Sequence, residues 1–118
     1  MGDYIQDFRD LLVWQEGMKL TKVVYEVTRG FPDDERFGLV SQMRRTAVAI
    51  PSNIAEGYGR GTTQDYLRFL RIARGAAAEL ETQLLLSLSL GYSVGDGQAM
   101  ELLKSTQRLL QGLIKSVV

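Results

Sequence analysis

The chain has 118 residues, 45% of them hydrophobic and 24% charged, with 14 basic and 14 acidic groups balancing to a formal charge of zero, so length and apolar content suit one ordinary domain with one core. It contains no cysteine and no histidine. That excludes disulfides and thiolate metal sites, and removes the usual general base and commonest metal ligand, so familiar hydrolase chemistry is not expected.

The first seven residues, from Met1 to Asp7, are acidic and polar and do not read as a signal peptide. No apolar run approaches the roughly 20 residues of a membrane span. A soluble, cytoplasmic protein is expected.

Helical spacing predicts a first helix over 12–29, with Asp10 as N-cap and Gly30 and Pro32 as its stop. Two adjacent strips make its inner face: Val13, Gly17, Leu20, Val24 and Val27, and beside them Trp14, Met18, Thr21, Tyr25 and Thr28. Trp14 reads as a core anchor, while Glu16, Lys19, Lys22 and Glu26 turn outward. Asp33, Asp34 and Glu35 form an acidic connector suited to a helix N-terminus.

A second helix is predicted from 36 or 39 to 56, with the core strip Leu39, Met43, Ala47, Ile50 and Ile54. Pro51 lies inside it and is expected to kink the helix without ending it. Arg45, Ala49, Ser52, Asn53 and Glu56 share a strip near the surface. The glycine-rich stretch 57–61 reads as a tight connection; it could also cradle an anion, but it lacks the Gly-Lys-Ser/Thr of a phosphate loop and no strand precedes it.

Thr62 or Thr63 should cap a third helix running to about 90, roughly 28 residues or ~42 Å long, with Gly91 as its stop. Tyr66, Leu70, Ala73, Ala77, Leu80 and Leu84 form its core strip. Leu84, Leu85, Leu86, Leu88 and Leu90 spread around more of the helix than one core needs, the usual mark of a protein partner. The last helix sets Ala99, Leu102, Leu103, Thr106, Leu109, Leu110, Leu113, Ile114 and Val117 on one face. Four helices, short connectors and no strand-like alternation give an all-α fold, an antiparallel up-down four-helix bundle, with 1–118 as a single domain.

Charge is unevenly placed. Residues 36–74 carry seven arginines and only Glu56 and Asp65 as acids, a net +5, against −4 before and −1 after. Arginine suits bidentate contact with phosphate or carboxylate, so two readings stand: contacts to a polyanion, or salt bridges to acidic helices. A carboxylate-only metal site from Glu56, Glu79 and Glu81 is a weaker option than neutralisation by arginine, and no metal or cofactor is expected.

The run 41–61, centred on Ile50-Pro51-Ser52-Asn53-Ile54-Ala55-Glu56-Gly57, is specific in a way helix patterning is not. It resembles the small four-helix-bundle proteins encoded by intervening sequences in bacterial 23S ribosomal RNA genes. Residues 8–15 (Phe8, Arg9 and Asp10 leading to Trp14 and Gln15), 69–75, 79–84 and 110–115 add to the likeness. The resemblance implies a ring-forming homo-oligomer, a homopentamer, and kinship with accessory proteins of diversity-generating retroelements, which are thought to bind nucleic acid and a reverse transcriptase. It carries no catalytic residues. It offers Arg44, Arg45, Arg60, Arg68, Arg71 and Arg74 as candidate RNA contacts, and Asn53 and Glu56 as interface groups; the scaffold reading adds Glu79 and Glu81 as partners for intersubunit arginines.

Overall fold

The computed structural model describes residues 5–118; residues 1–4, on which the reading of the N-terminus partly rests, lie outside it. Among the described residues are four α-helices, two short 3₁₀ turns and no strand: α1 (Leu12–Thr28), α2 (Leu39–Gly59), α3 (Thr63–Ser89) and α4 (Gln98–Val117). No helix among them is long and apolar enough to cross a membrane. The described residues span 46 × 25 × 19 Å, the long dimension being close to the ~40 Å length of a 27-residue helix.

Each helix packs against two others, α1 and α3 both lying against α2 and α4, with α2 and α3 sharing the most extensive contact. Most of the core comes from the expected strips, among them Leu20, Val24, Met43, Ile50, Ile54, Leu70, Leu80, Leu103 and Leu110, and Leu11, Phe31 and Val40 join it from outside them. α1 departs from expectation because it packs only on α2 and α4, so its buried face is narrower than two full strips. Met18 and Tyr25 stay exposed, Val23 is buried in their stead, and the half-buried Glu16 accepts a hydrogen bond from the Ser105 hydroxyl on α4 at 2.6 Å. Trp14 is half-buried, edge-on to Phe8 at 5.3 Å.

Asp10 does not cap α1. It belongs to the preceding 3₁₀ turn and accepts from the Gln6 amide at 3.0 Å, while Leu11 occupies the N-cap without a side-chain bond. Thr62 does cap α3, accepting from the Asp65 amide at 3.1 Å, and Gly91 follows its end with φ +83°.

α2 runs through Pro51. Proline has no N–H, so the Ala47 carbonyl one turn earlier loses its helical donor. The Thr21 hydroxyl on α1 approaches that carbonyl at 3.1 Å, as well as its own Gly17 carbonyl at 2.8 Å. Gly17 on α1 faces the Pro51 ring, and a Cβ there would lie 3.5 Å from Pro51 Cδ, an ordinary packing distance. The proline is therefore a feature of the α1–α2 contact, and the orphaned carbonyl shares the single Thr21 hydroxyl proton with the Gly17 carbonyl.

Glu35 joins three parts of the chain. Its Oε1 accepts from the Leu39 amide at 3.1 Å, capping α2, and its Oε2 accepts from the Tyr92 hydroxyl, in the α3–α4 connection, at 2.7 Å. The Tyr92 hydrogen bond, then the Leu39 amide, holds the Glu35 carboxyl below its usual range, and the same bond pushes the Tyr92 hydroxyl up. A lowered carboxyl contributes stability above its unfolded pKa and loses it as pH falls through the folded value. A raised phenol contributes below its unfolded pKa and loses it as pH rises through the folded value. Thermal unfolding of Tyr92→Phe should thus lie below wild type by a constant interval across about pH 6 to 9, the interval closing in acid below the usual glutamate range. An interval that stays open in acid would mean that the hydroxyl contributes independently of the Glu35 charge, and no interval at any pH that the Tyr92 ring acts by packing alone.

Candidate nucleic-acid interface

The arginines of residues 36–74 divide into two clusters and one outlier. The first cluster lies at the start of α2. Arg36 and Phe37 occupy the turn before the helix, and Arg44 and Arg45 follow inside it. The Arg44 Nε–H donates to Thr28 Oγ1 at 2.9 Å and Nη2 to the Tyr25 carbonyl at 3.3 Å, with the guanidinium 4.6 Å from the Tyr25 ring centroid. The last carbonyls of a helix lack intrahelical donors and sit at the negative end of its dipole. Arg44 therefore closes α1, and much of its donor capacity is used within the chain. Arg45 is exposed and makes no ion pair among the described residues.

The second cluster lies around the α2–α3 turn. Arg60 and Arg68 place their guanidinium groups 5.0 and 4.8 Å from the centre of the Phe69 ring, and Arg60 also bonds Glu56 at 2.8 Å, one helical turn earlier. Arg68 and Arg71 line a shallow depression with Gln64 and Asp65. Fifteen residues of α2 separate Arg45 from Arg60, ~22 Å along the axis. Arg74 is the outlier. Seven residues before Glu81, it shares that residue's side of α3, which faces α4.

The acidic candidates are partly engaged inside the chain. Glu81 accepts from Lys104 Nζ at 2.6 Å and from Gln107 Nε2 at 3.0 Å, tying α3 to α4, and the Lys104 bond, followed by Gln107, lowers its pKa. Glu56 pairs with Arg60, and Asn53 donates to the Ala49 carbonyl at 2.7 Å on the outer strip of α2. Glu79 is exposed. No group of three or more acidic side chains among the described residues is arranged to hold a metal ion. The glycine stretch forms no cradle, since Gly57 and Gly59 are helical and only Gly61, at φ +83°, is in the left-handed region.

Phe37, Tyr25 and Arg36 are not among the candidate residues of the sequence, yet they lie beside Arg44 and Arg45 in one depression. Helical spacing places Tyr25 in the core strip of α1, and Arg36 adds only charge. Phe37 follows an arginine in a connector and belongs to none of the helical apolar strips, which is the signal that could have singled it out.

The family model of the 23S rRNA-intervening sequence protein matches residues 9–115. No curated protein matches the chain.

Proposed function

We propose that this chain, which belongs to the 23S rRNA-intervening sequence protein family, is a non-enzymatic module that binds RNA or another nucleic acid through its exposed arginines. In this reading residues 1–118 form one domain, an antiparallel up-down bundle, and five copies assemble into a cyclic cytoplasmic homo-oligomer that serves as accessory to a partner protein of reverse-transcriptase type. The direction of the helices is supported by residue pairing along α2 and α3, where Thr46 meets Gln83 and the later Gly57 meets the earlier Phe69. Self-association is supported by Leu85, Leu86, Leu88 and Leu90, all about half exposed at the end of α3.

The observation that carries the nucleic-acid reading is the imbalance of ion pairing. Of the seven arginines in residues 36–74, Arg60 alone has a carboxylate partner among the described residues. In the scaffold alternative these arginines would pair across subunits with Glu56, Glu79 and Glu81, yet Glu56 and Glu81 already have partners within the chain. Repetition around a ring would multiply a modest basic surface.

Size-exclusion chromatography with light scattering, alone and with bacterial RNA, tests the proposal. The expected result is an oligomer near five subunits that moves to larger mass with RNA, with the shift lost as salt rises between about 50 and 200 mM. Arg45→Ala and Arg71→Ala should each weaken the shift and leave subunit number unchanged. An oligomer indifferent to RNA at low salt, or one that dissociates in Arg45→Ala, would overturn the reading in favour of the scaffold.

A further inference from the structure

Phe37 is 87% exposed, the most exposed large apolar side chain described. It borders a depression at the start of α2 together with Tyr25, Arg36, Arg44, Arg45 and Val48, and no carboxylate lines that depression. Tyr25 and Val48 are also more than one-third exposed. Two of the cations already lie over the rings, Arg36 at 5.3 Å from the Phe37 centroid and Arg44 at 4.6 Å from that of Tyr25. The site therefore combines apolar flat surface left in water with three guanidinium groups and no opposing charge.

A ligand that answers both features carries flat apolar rings and an anionic linkage at short, regular spacing. Unpaired nucleotides do this: bases stack on aromatic side chains while phosphates lie in the basic groove. A duplex offers phosphates but keeps its base faces stacked on one another, so it would use the arginines and leave Phe37 in water. An acidic peptide would likewise leave the rings uncovered.

We infer that Phe37 and Tyr25 are a stacking platform for single-stranded RNA, with Arg36 and Arg45 contacting its phosphates and Arg44 holding the Tyr25 ring in place. The inference rests on the reading that the arginine surface binds nucleic acid, and specifies which strand form and which end of α2. Arg36, Tyr25 and Phe37 join Arg45 in the site, while Arg60, Arg68, Arg71 and Arg74 lie outside it.

The test is fluorescence anisotropy of the full chain with labelled oligouridylate of roughly 20 nucleotides and with an RNA duplex of similar length. Phe37→Ala should lose about 5- to 100-fold of its affinity for the single strand, with duplex binding and the salt slope unchanged. Phe37→Tyr should restore single-strand affinity. Arg45→Ala should instead flatten the salt slope. Because the Phe37 ring is nearly free of protein contact, its truncation leaves the fold intact, which circular dichroism checks. Wild-type binding that Phe37→Ala does not alter would overturn the stacking platform and leave the arginine reading standing. Wild type that binds neither RNA would remove both. A Phe37-dependent affinity for oligoglutamate equal to that for oligouridylate would assign the site to an acidic polypeptide.

Discussion

Gly57→Ala is expected to destabilise the protein by about 2 kcal/mol, the middle of the range for overpacking a core. A Cβ at Gly57 would come 2.7 Å from Phe69 Cβ, 3.3 Å from the Tyr66 carbonyl oxygen and 3.4 Å from Tyr66 Cδ1. The first two obstacles belong to the frame of α3 and cannot swing aside as a long side chain could. Relief requires α2 and α3 to separate, and these two helices share the most extensive contact in the fold. Alanine's better helix propensity, about 1 kcal/mol, offsets only part of that cost. Gly75→Ala is the control. It lies in the middle of α3 with nothing within 4 Å of its would-be Cβ, so propensity alone should stabilise it by about 0.5–1 kcal/mol. Urea unfolding at matched protein concentration measures both, since association would couple stability to concentration. A neutral Gly57→Ala would show that the helices can part freely. Loss of stability in Gly75→Ala would reveal a surface occupied by another molecule.

The second large effect concerns Gln83. This residue is only 7% exposed; its Nε2 donates to Thr46 Oγ1 at 3.2 Å, while its Oε1 is buried with no hydrogen-bond partner. The Thr46 hydroxyl donates to the Gln42 carbonyl at 2.8 Å, and Ser87 donates to the Gln83 carbonyl at 2.8 Å. The α2–α3 seam is thus polar but incompletely satisfied. Gln83→Glu introduces a carboxylate there without a cation opposite, and should cost about 3 kcal/mol or more at neutral pH. Burial raises the carboxyl's folded pKa above its unfolded value, so the charged form is the disfavoured one. The deficit relative to wild type should be small near pH 4 and grow as pH rises above the unfolded value, levelling off above the folded one. Gln83→Met removes the unpartnered oxygen and keeps the volume, so it should be neutral or stabilise by up to about 1 kcal/mol. Paired urea curves at acid and neutral pH decide the matter. A pH-independent deficit for Gln83→Glu would mean that the new carboxylate reaches water.

These two residues show unequal legibility. Gly57 stands in the segment that identifies the family, yet in the sequence it looked like part of a turn; its reason is the ring and backbone of a helix that begins six residues later. Gln83 is polar and is not part of the apolar strip Tyr66 to Leu84, although it lies on the flank of that strip three residues after Leu80; the width of the α2–α3 contact buries it and Ser87 together. Of the candidate site, the charged positions were readable from arginine spacing. What each guanidinium touches was not, because Arg44 is held by the end of α1 and Arg60 and Arg68 by the Phe69 ring, contacts made between segments.

What the sequence determined by itself are features set within one or two helical turns. They include the helix spans to within a few residues, the strips Leu39 to Ile54 and, within Tyr66 to Leu84, the buried Leu70 to Leu84, a threonine cap at 62 or 63, of which Thr62 caps, and the Gly91 stop. A 3.6-residue period and local hydrogen bonds are properties of a single segment, so they can be read without knowing its neighbours. The tertiary structure alone decided that the Thr21 hydroxyl reaches the carbonyl freed by Pro51, that Arg44 closes α1 while Arg45 stays exposed, and that Phe37 and Tyr25 share one basic depression. Each depends on atoms from different segments of the chain, and such partnerships follow from how the helices pack and rotate against one another, which no segment encodes on its own.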